Sequence, residues 1–268
     1  MSVMVPPEPL FAGLFDDASA LVGATLQETL EGRARRVGTP DATYVGSLLL
    51  PPRMVRPALS TKGALRITIV AGLADDIDQF VDTAELVSAH RRHELVGLHV
   101  PYSPKWREAL NLLVPVVVRL PAGGAGLDAL DEFSGSGPMI RAGIRSGGEH
   151  AAGSAELAAF VRGCATRSVA FHLAGGLGGA ITGETDRHGP GMLNMLLATK
   201  LALRERSVQD LTAVLQQDDR DLVLTHIRGI TEDKALEIRR VFRSVSYADV
   251  HTAVQDLNSL ALTESASS

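Results

Sequence analysis

Residues 95–121 read LVGLHVPYSPKWREALNLLVPVVVRLP. Two apolar runs, Leu95 to Val100 and Pro115 to Leu120, bracket a segment where Ser103 followed by Pro104 gives a helix start, a capping hydroxyl ahead of a residue already fixed in helical φ. Neither run alternates polar with apolar residues, so each reads as a parallel strand covered on both faces. Strand, crossover helix and parallel strand form the repeating unit of α/β folds.

Working outward, the same unit recurs. Further strands are expected at Tyr44 to Leu50, Leu65 to Val70, Pro138 to Gly143, Ser168 to Leu173, Leu222 to His226 and Val241 to Ser246. Ser154 leads into a helix with Leu157, Phe160, Val161 and Cys164 on one face, two helices fill Pro190 to Gln217, and an N-terminal helix is expected over about Gly13 to Arg36. Eight strands with helices between them predict a single α/β domain over 1–268, a (β/α)8 TIM-barrel-like fold, distorted if any strand is weak, with an extra N-terminal helix and loose ends at 1–12 and 263–268. An open doubly wound sheet is the alternative should two of strands one, seven and eight fail.

Composition narrows the function. With 26 basic and 31 acidic residues in 268 the formal charge is −5, which gives no global field for nucleic acid. The longest apolar stretches, such as Leu112 to Val118, are far shorter than a membrane span, and the opening MSVMVPPEPL lacks a basic signal-peptide start. One cysteine, Cys164, excludes an internal disulfide and suits a reducing compartment. A cytoplasmic enzyme or binding domain, with neither nucleic acid nor membrane as partner, is the expectation.

The chemistry is read from breaks in the apolar strands. Leu98-His99-Val100-Pro101, Val118-Arg119-Leu120-Pro121, Ile140-Arg141-Ala142-Gly143 and Phe171-His172-Leu173-Ala174 each carry one ionisable residue, and Leu224-Thr225-His226 adds a fifth. All are expected at the C-terminal ends of strands, where barrel enzymes place catalytic groups. Arg119 and Arg141 would grip a carboxylate or phosphate, His172 and His99 would move protons, and Asn194 and His226 would touch the substrate. The plainer alternative is that such residues leave the core pointing into water.

Segment 174–191, AGGLGGAITGETDRHGPG, is a candidate phosphate cradle or lid through Gly176 and Gly178, with a plain surface loop as the alternative. It fits neither G-x-G-x-x-G nor the P-loop pattern. A zinc site built from His99, His172, and His226 or His188, with Glu149 or Glu184, has no recognised ligand spacing and would face nearby arginines, so no metal and no cofactor are predicted. No G-x-S-x-G, H-E-x-x-H or H-x-E with C-x-x-C occurs.

Phe171 to Asn194 resembles an uncharacterised protein family of high-GC bacteria whose motifs read F-K-x-T-A-G-L-H-H and then H-G-F-L-N-x-L-L-A. Here the stretches are Phe171-His172-Leu173-Ala174-Gly175-Gly176-Leu177-Gly178-Gly179 and Pro190-Gly191-Met192-Leu193-Asn194. The family's lysine falls on His172, its paired histidines on Gly178 and Gly179, and its later histidine on Pro190. Arg141 and Asn194 are kept, whereas the family's G-S-C-S falls on Ser246-Tyr247-Ala248-Asp249. The resemblance implies a diverged paralogue of the same fold. Two functions follow as expectations. One is an isomerase, cyclase or lyase acting on a small anion in biosynthetic metabolism. The other is an inactive paralogue serving as a ligand-binding or partner subunit, with a homo-oligomer also open.

Overall fold

The computed structural model describes residues 5–148, 150–184 and 189–263. Within them eight strands close into one parallel barrel: β1 Phe15–Asp17, β2 Val45–Leu50, β3 Arg66–Val70, β4 Glu94–Pro101, β5 Val116–Arg119, β6 Ile140–Arg145, β7 Ala170–Ala174 and β8 Phe242–Tyr247. Closure is direct, because β1 pairs with β2 on one side and with β8 on the other. The helices are α1 Leu26–Arg36, α2 Pro52–Leu59, α3 Ile77–Ser88, α4 Gly124–Ala129, α5 Ser154–Thr166, α6 Met192–Ala202, α7 Val208–Leu215, α8 Arg220–Arg228, α9 Glu232–Val241 and α10 Val250–Ser259. A 3₁₀ helix, Trp106–Leu112, makes the crossover from β4 to β5. The fold is a (β/α)8 barrel.

Two expected elements are corrected. The stretch from Gly13 to Arg36 is not one helix: its first residues form β1, and α1 begins only at Leu26, where Thr25 and Glu28 cap each other's backbone N–H groups. Leu222 to His226 is not a strand but the middle of α8. Asp219 caps that helix through the Leu222 N–H, and Val223, Leu224 and Ile227 bury one side of it. Periodicity over nine residues outweighs five that look extended when read alone. One strand is lost and one gained, so the barrel survives with a shifted set.

Strand parity sorts side chains into two populations. Leu48, Leu50, Ile67, Ile69, Leu98, Val100, Val116, Val118, Phe171 and Leu173 belong to the continuous core shared with the surrounding helices. Phe171 anchors it on the β7 side, stacked on Phe242 at 4.9 Å and edge-on to Phe160 at 5.6 Å. Leu49 and Val70, of opposite parity, join Ala18 in a separate small cluster. The remaining inward positions are largely polar.

Candidate active site

The rings of His99 on β4 and His172 on β7 meet with centroids 4.5 Å apart and planes inclined at 62°. Two strands separate β4 from β7 in the sheet, so the rings touch across the barrel interior. Asp16 on β1 likewise reaches past β8, placing Oδ2 3.7 Å from His172 Nδ1. Asp16 and Asp17 are consecutive, and parity splits them. Asp17 pairs with Arg36 of α1 and receives Ser19, while Asp16 enters the barrel.

A hydrogen-bonded chain supports the pair. Thr68 Oγ1 donates to Ser47 Oγ at 2.9 Å, Ser47 Oγ donates to Asp16 Oδ1 at 2.8 Å, and the Ser47 N–H adds a second bond to the same oxygen at 2.7 Å. Ser244 Oγ lies 2.9 Å from His172 Nδ1. All six side chains are buried. The Asp16 carboxylate beside Nδ1 favours the tautomer with its proton there, which the Ser244 hydroxyl accepts. Nε2 then carries the lone pair, and it is buried without a hydrogen-bond partner. Such an orphan costs roughly 1–3 kcal/mol, a cost associated with catalytic positions.

Burial pulls the His172 pKa down to about 4; Asp16 opposes this, and Arg141 and Arg119 reinforce it. Burial, then His172, Arg119 and Arg141, hold His99 well below its ordinary value. Burial thus favours the neutral form of both imidazoles, which leaves each ring a nitrogen lone pair.

Some of the other predicted residues lie where they were expected and some do not. Arg119 ends β5, as read, and its guanidinium donates to the Ala71 carbonyl at the C-terminal end of β3. Burial lowers its pKa, with Arg145 adding and Asp75 opposing. Arg141 does not lie at a C-terminal end. Strand β6 starts and stops two residues later than expected, so Arg141 is its second residue and Arg145, unread in the sequence, its last. His226 is exposed on α8, outside the barrel. Asn194 is wholly buried and fully engaged: its Oδ1 accepts the Thr182 N–H at 3.1 Å, and its Nδ2 donates to the Val214 and Gln217 carbonyls at 2.8 and 2.7 Å. It ties the glycine segment to the end of α7, with both amide hydrogens committed to backbone carbonyls.

Gly176 (φ +80°) lies against the Tyr247 ring, and the Gly178 N–H is used by the Pro190 carbonyl, which takes that donor from a phosphate. Glu184 holds the Ile181 N–H and Arg220 instead of a metal. Glu149 and His188 lie outside the described residues, among which no three His, Cys, Asp or Glu side chains are arranged to hold a metal ion. No helix among them is long and apolar enough to cross a membrane.

Asp16, Ser47, Thr68 and Ser244 were missed by sequence reasoning. The signal for Asp16 existed, since Leu14-Phe15-Asp16 repeats the apolar-then-ionisable break of the other strands. A cavity of about 250 Å³ is lined by Asp16, His99, Arg141 and Ser244. Its rim includes Arg66, the first residue of β3, Pro115, just before β5, and Arg243, the second residue of β8, so it enters from the N-terminal end of the barrel. A larger hollow, about 510 Å³, lies between α1 and the start of α10 above the Asp17–Arg36 pair and touches neither histidine.

No family model matches the chain, and no curated protein matches it. Among solved structures it is similar to QR15, an aldolase, at 10% identity and TM-score 0.38 over 95% of this chain and 97% of that one. It is also similar to a candidate deoxyribose-phosphate aldolase from Toxoplasma gondii ME49, at 12% identity and TM-score 0.43 over 94% and 93%. At these values neither likeness carries the chemistry of those proteins to this chain.

Proposed function

We propose that this protein is a lyase- or isomerase-type enzyme that transfers protons on a small anionic substrate inside the barrel, with His172 as base and His99 as second proton carrier. The observation that carries this reading is the His172 ring, fixed at Nδ1 by Ser244 and Asp16 and left without a hydrogen-bond partner at Nε2. A base needs a lone pair, an orienting partner and exclusion from water, and His172 has all three. Arg119 and Arg141 both act electrostatically on His172, and their field favours a carboxylate or phosphate nearby. As His172 takes a proton from carbon, Asp16 balances the imidazolium, while the arginines stabilise the negative charge left on the substrate.

Chemistry through a lysine imine is disfavoured by this chain's own residues. Its four lysines are Lys62, Lys105, Lys200 and Lys234, and none is on a strand. Carbon–carbon or carbon–oxygen cleavage here therefore runs through proton transfer to and from the substrate.

The test needs no prior substrate. A panel of small 2-oxo acids, hydroxy acids and sugar phosphates is incubated with the protein in D2O and followed by NMR for exchange of carbon-bound hydrogen. The reading expects exchange in at least one compound and its loss in a folded His172→Gln variant. Exchange that survives the substitution, or none in any compound, refutes it. The second outcome favours the rival reading, an inactive paralogue that binds a ligand or partner, which the near-complete burial of both imidazoles supports.

A further inference from the structure

The charge in the 250 Å³ cavity is unbalanced. Arg66, Arg141, Arg239 and Arg243 border it, with Asp16 as the acid among its lining residues. Arg66 is matched by Glu94 at 3.2 Å on the surface. Arg239 is held in place by donating to the Phe242 and Ala12 carbonyls at 2.8 and 3.1 Å, contacts that orient the guanidinium without neutralising it. Arg243 donates to the Arg239 carbonyl at 3.1 Å, which fixes the two side by side. Arg141 Nε is buried with no hydrogen-bond partner. Asp16, already bonded twice to Ser47 and next to His172, is the one carboxylate facing these three cations within the cavity.

Three guanidiniums that face one carboxylate repel one another. Burial and then Arg243 bring the Arg141 pKa down to about 10, and the same two causes bring Arg239 to about 9, with Asp16 opposing both. Such an arrangement is relieved by an anion that several planar N–H forks can share. Glu8 and Glu232 border a separate hollow that Arg239 and Arg243 also line, and among the described residues neither glutamate forms an ion pair with either arginine.

We propose that the N-terminal end of this barrel is an anion site in which Arg141, Arg239 and Arg243 hold a small dianionic group, phosphate-like in size and charge. Barrel enzymes bind substrate at the opposite, C-terminal end, so this site lies where the fold does not ordinarily put one. The cavity volume admits a molecule of about the size of a three- to five-carbon phosphate monoester or dicarboxylate, small beside ordinary ligand pockets. His99 lines the same cavity, so an anion seated on the clamp lies on the His99 side of the histidine pair. The inference deepens the proposed reading, on which it rests only in treating the anion as part of the substrate.

Inorganic phosphate is the probe, titrated by isothermal calorimetry into the wild-type chain and into Arg243→Ala, Arg141→Gln and His172→Gln variants. Arg243 is exposed, so its removal leaves the core intact and decides the matter even if Arg141→Gln fails to fold. The expected result is saturable binding by wild type, weakened at least tenfold by Arg243→Ala and by folded Arg141→Gln, and unchanged in His172→Gln. Arg107→Gln, at a surface ion pair with Glu132, is the control that leaves affinity as it was. Absence of saturable binding by wild type, or equal affinity in Arg243→Ala and Arg107→Gln, overturns the site. Saturable phosphate binding by a wild-type chain that exchanges no carbon-bound hydrogen keeps the site and discards the catalytic reading.

Discussion

Replacing His172 with glutamine tests whether the buried imidazole is neutral. Glutamine keeps a polar group near Ser244 but does not titrate. The folded-state pKa of His172, about 4, lies below its ordinary value of 6.5, so between those values the unfolded chain binds more protons than the folded one. The neutral ring's advantage is present above pH 6.5 and is lost as the pH falls toward 4. With these two values the linkage relation removes almost nothing at pH 7.5, about 2 kcal/mol by pH 5 and about 3 kcal/mol by pH 4.

The measurement is urea unfolding of both proteins at pH 7.5 and pH 5.0 at constant ionic strength. The substitution's own cost in packing and lost contacts is common to both pH values and cancels in the comparison. His99 is depressed in the same direction chiefly by burial, a cause the substitution leaves in place. Wild type is expected to lose about 2 kcal/mol more than His172→Gln on going to pH 5, so the stability gap between them narrows or reverses. An equal loss, within about 0.5 kcal/mol, would mean that His172 is charged or solvated in the folded protein, and the argument for a neutral base would fail with it.

Three other outcomes follow from the same geometry. Asn194→Ala strands the Thr182 N–H and two carbonyls in the interior and is expected to cost about 3–5 kcal/mol, seen as a melting point lowered by roughly 10 °C; a substrate-orienting role would instead weaken ligand binding with stability intact. Gly147→Ala places a methyl group 2.1 Å from the Gly175 carbonyl oxygen, a backbone atom that cannot step aside, and is expected to lower unfolding free energy by at least about 2 kcal/mol in a denaturant melt, where an unchanged midpoint would refute the contact. Cys164 is fully buried with its thiol pKa raised by burial, so a disulfide reagent such as Ellman's should label it only at the rate of unfolding, and rapid stoichiometric labelling of native protein would contradict its placement.

The parts of the fold that were legible are those where burial on both faces writes itself as an uninterrupted apolar run. Strands β2 to β8 each carry enough apolar residues to be located within about two residues, and His99 and His172 stand out because each breaks such a run. What stayed hidden has a physical cause in each case. Strand β1 is three residues long, and its ladder is completed by neighbours over 200 residues away in β8, so local pattern carries little of its stability. Leu222 to His226 looks extended because leucine and valine suit a strand as well as a helix face. Arg141 was put at the wrong end by a shift of two residues in β6, which leaves parity unchanged and therefore keeps the side chain inside the barrel while moving it to the other end. Ser47, Thr68 and Ser244 are small polar residues in apolar surroundings, and sequence gives no sign of what they bond to.

That pattern also bears on the chemistry. A one-residue shift in β1 would send Asp17 inward in place of Asp16, breaking the Arg36 pair outside and displacing the carboxylate that faces His172 inside. The acid on which both the imidazole and the arginine clamp depend is thus set by the register of the shortest strand in the barrel, fixed by the pairing of Phe15 with Val45 on one side and Val245 on the other. The Ser47 N–H and hydroxyl, both on Asp16 Oδ1, strengthen the same choice from β2. The hydrogen bonds that orient the carboxylate for His172 therefore also specify the closure of the barrel. Proton transfer and folding should respond together when Ser47 is changed, whereas Ser244, which touches only the imidazole side of the chain, should separate them.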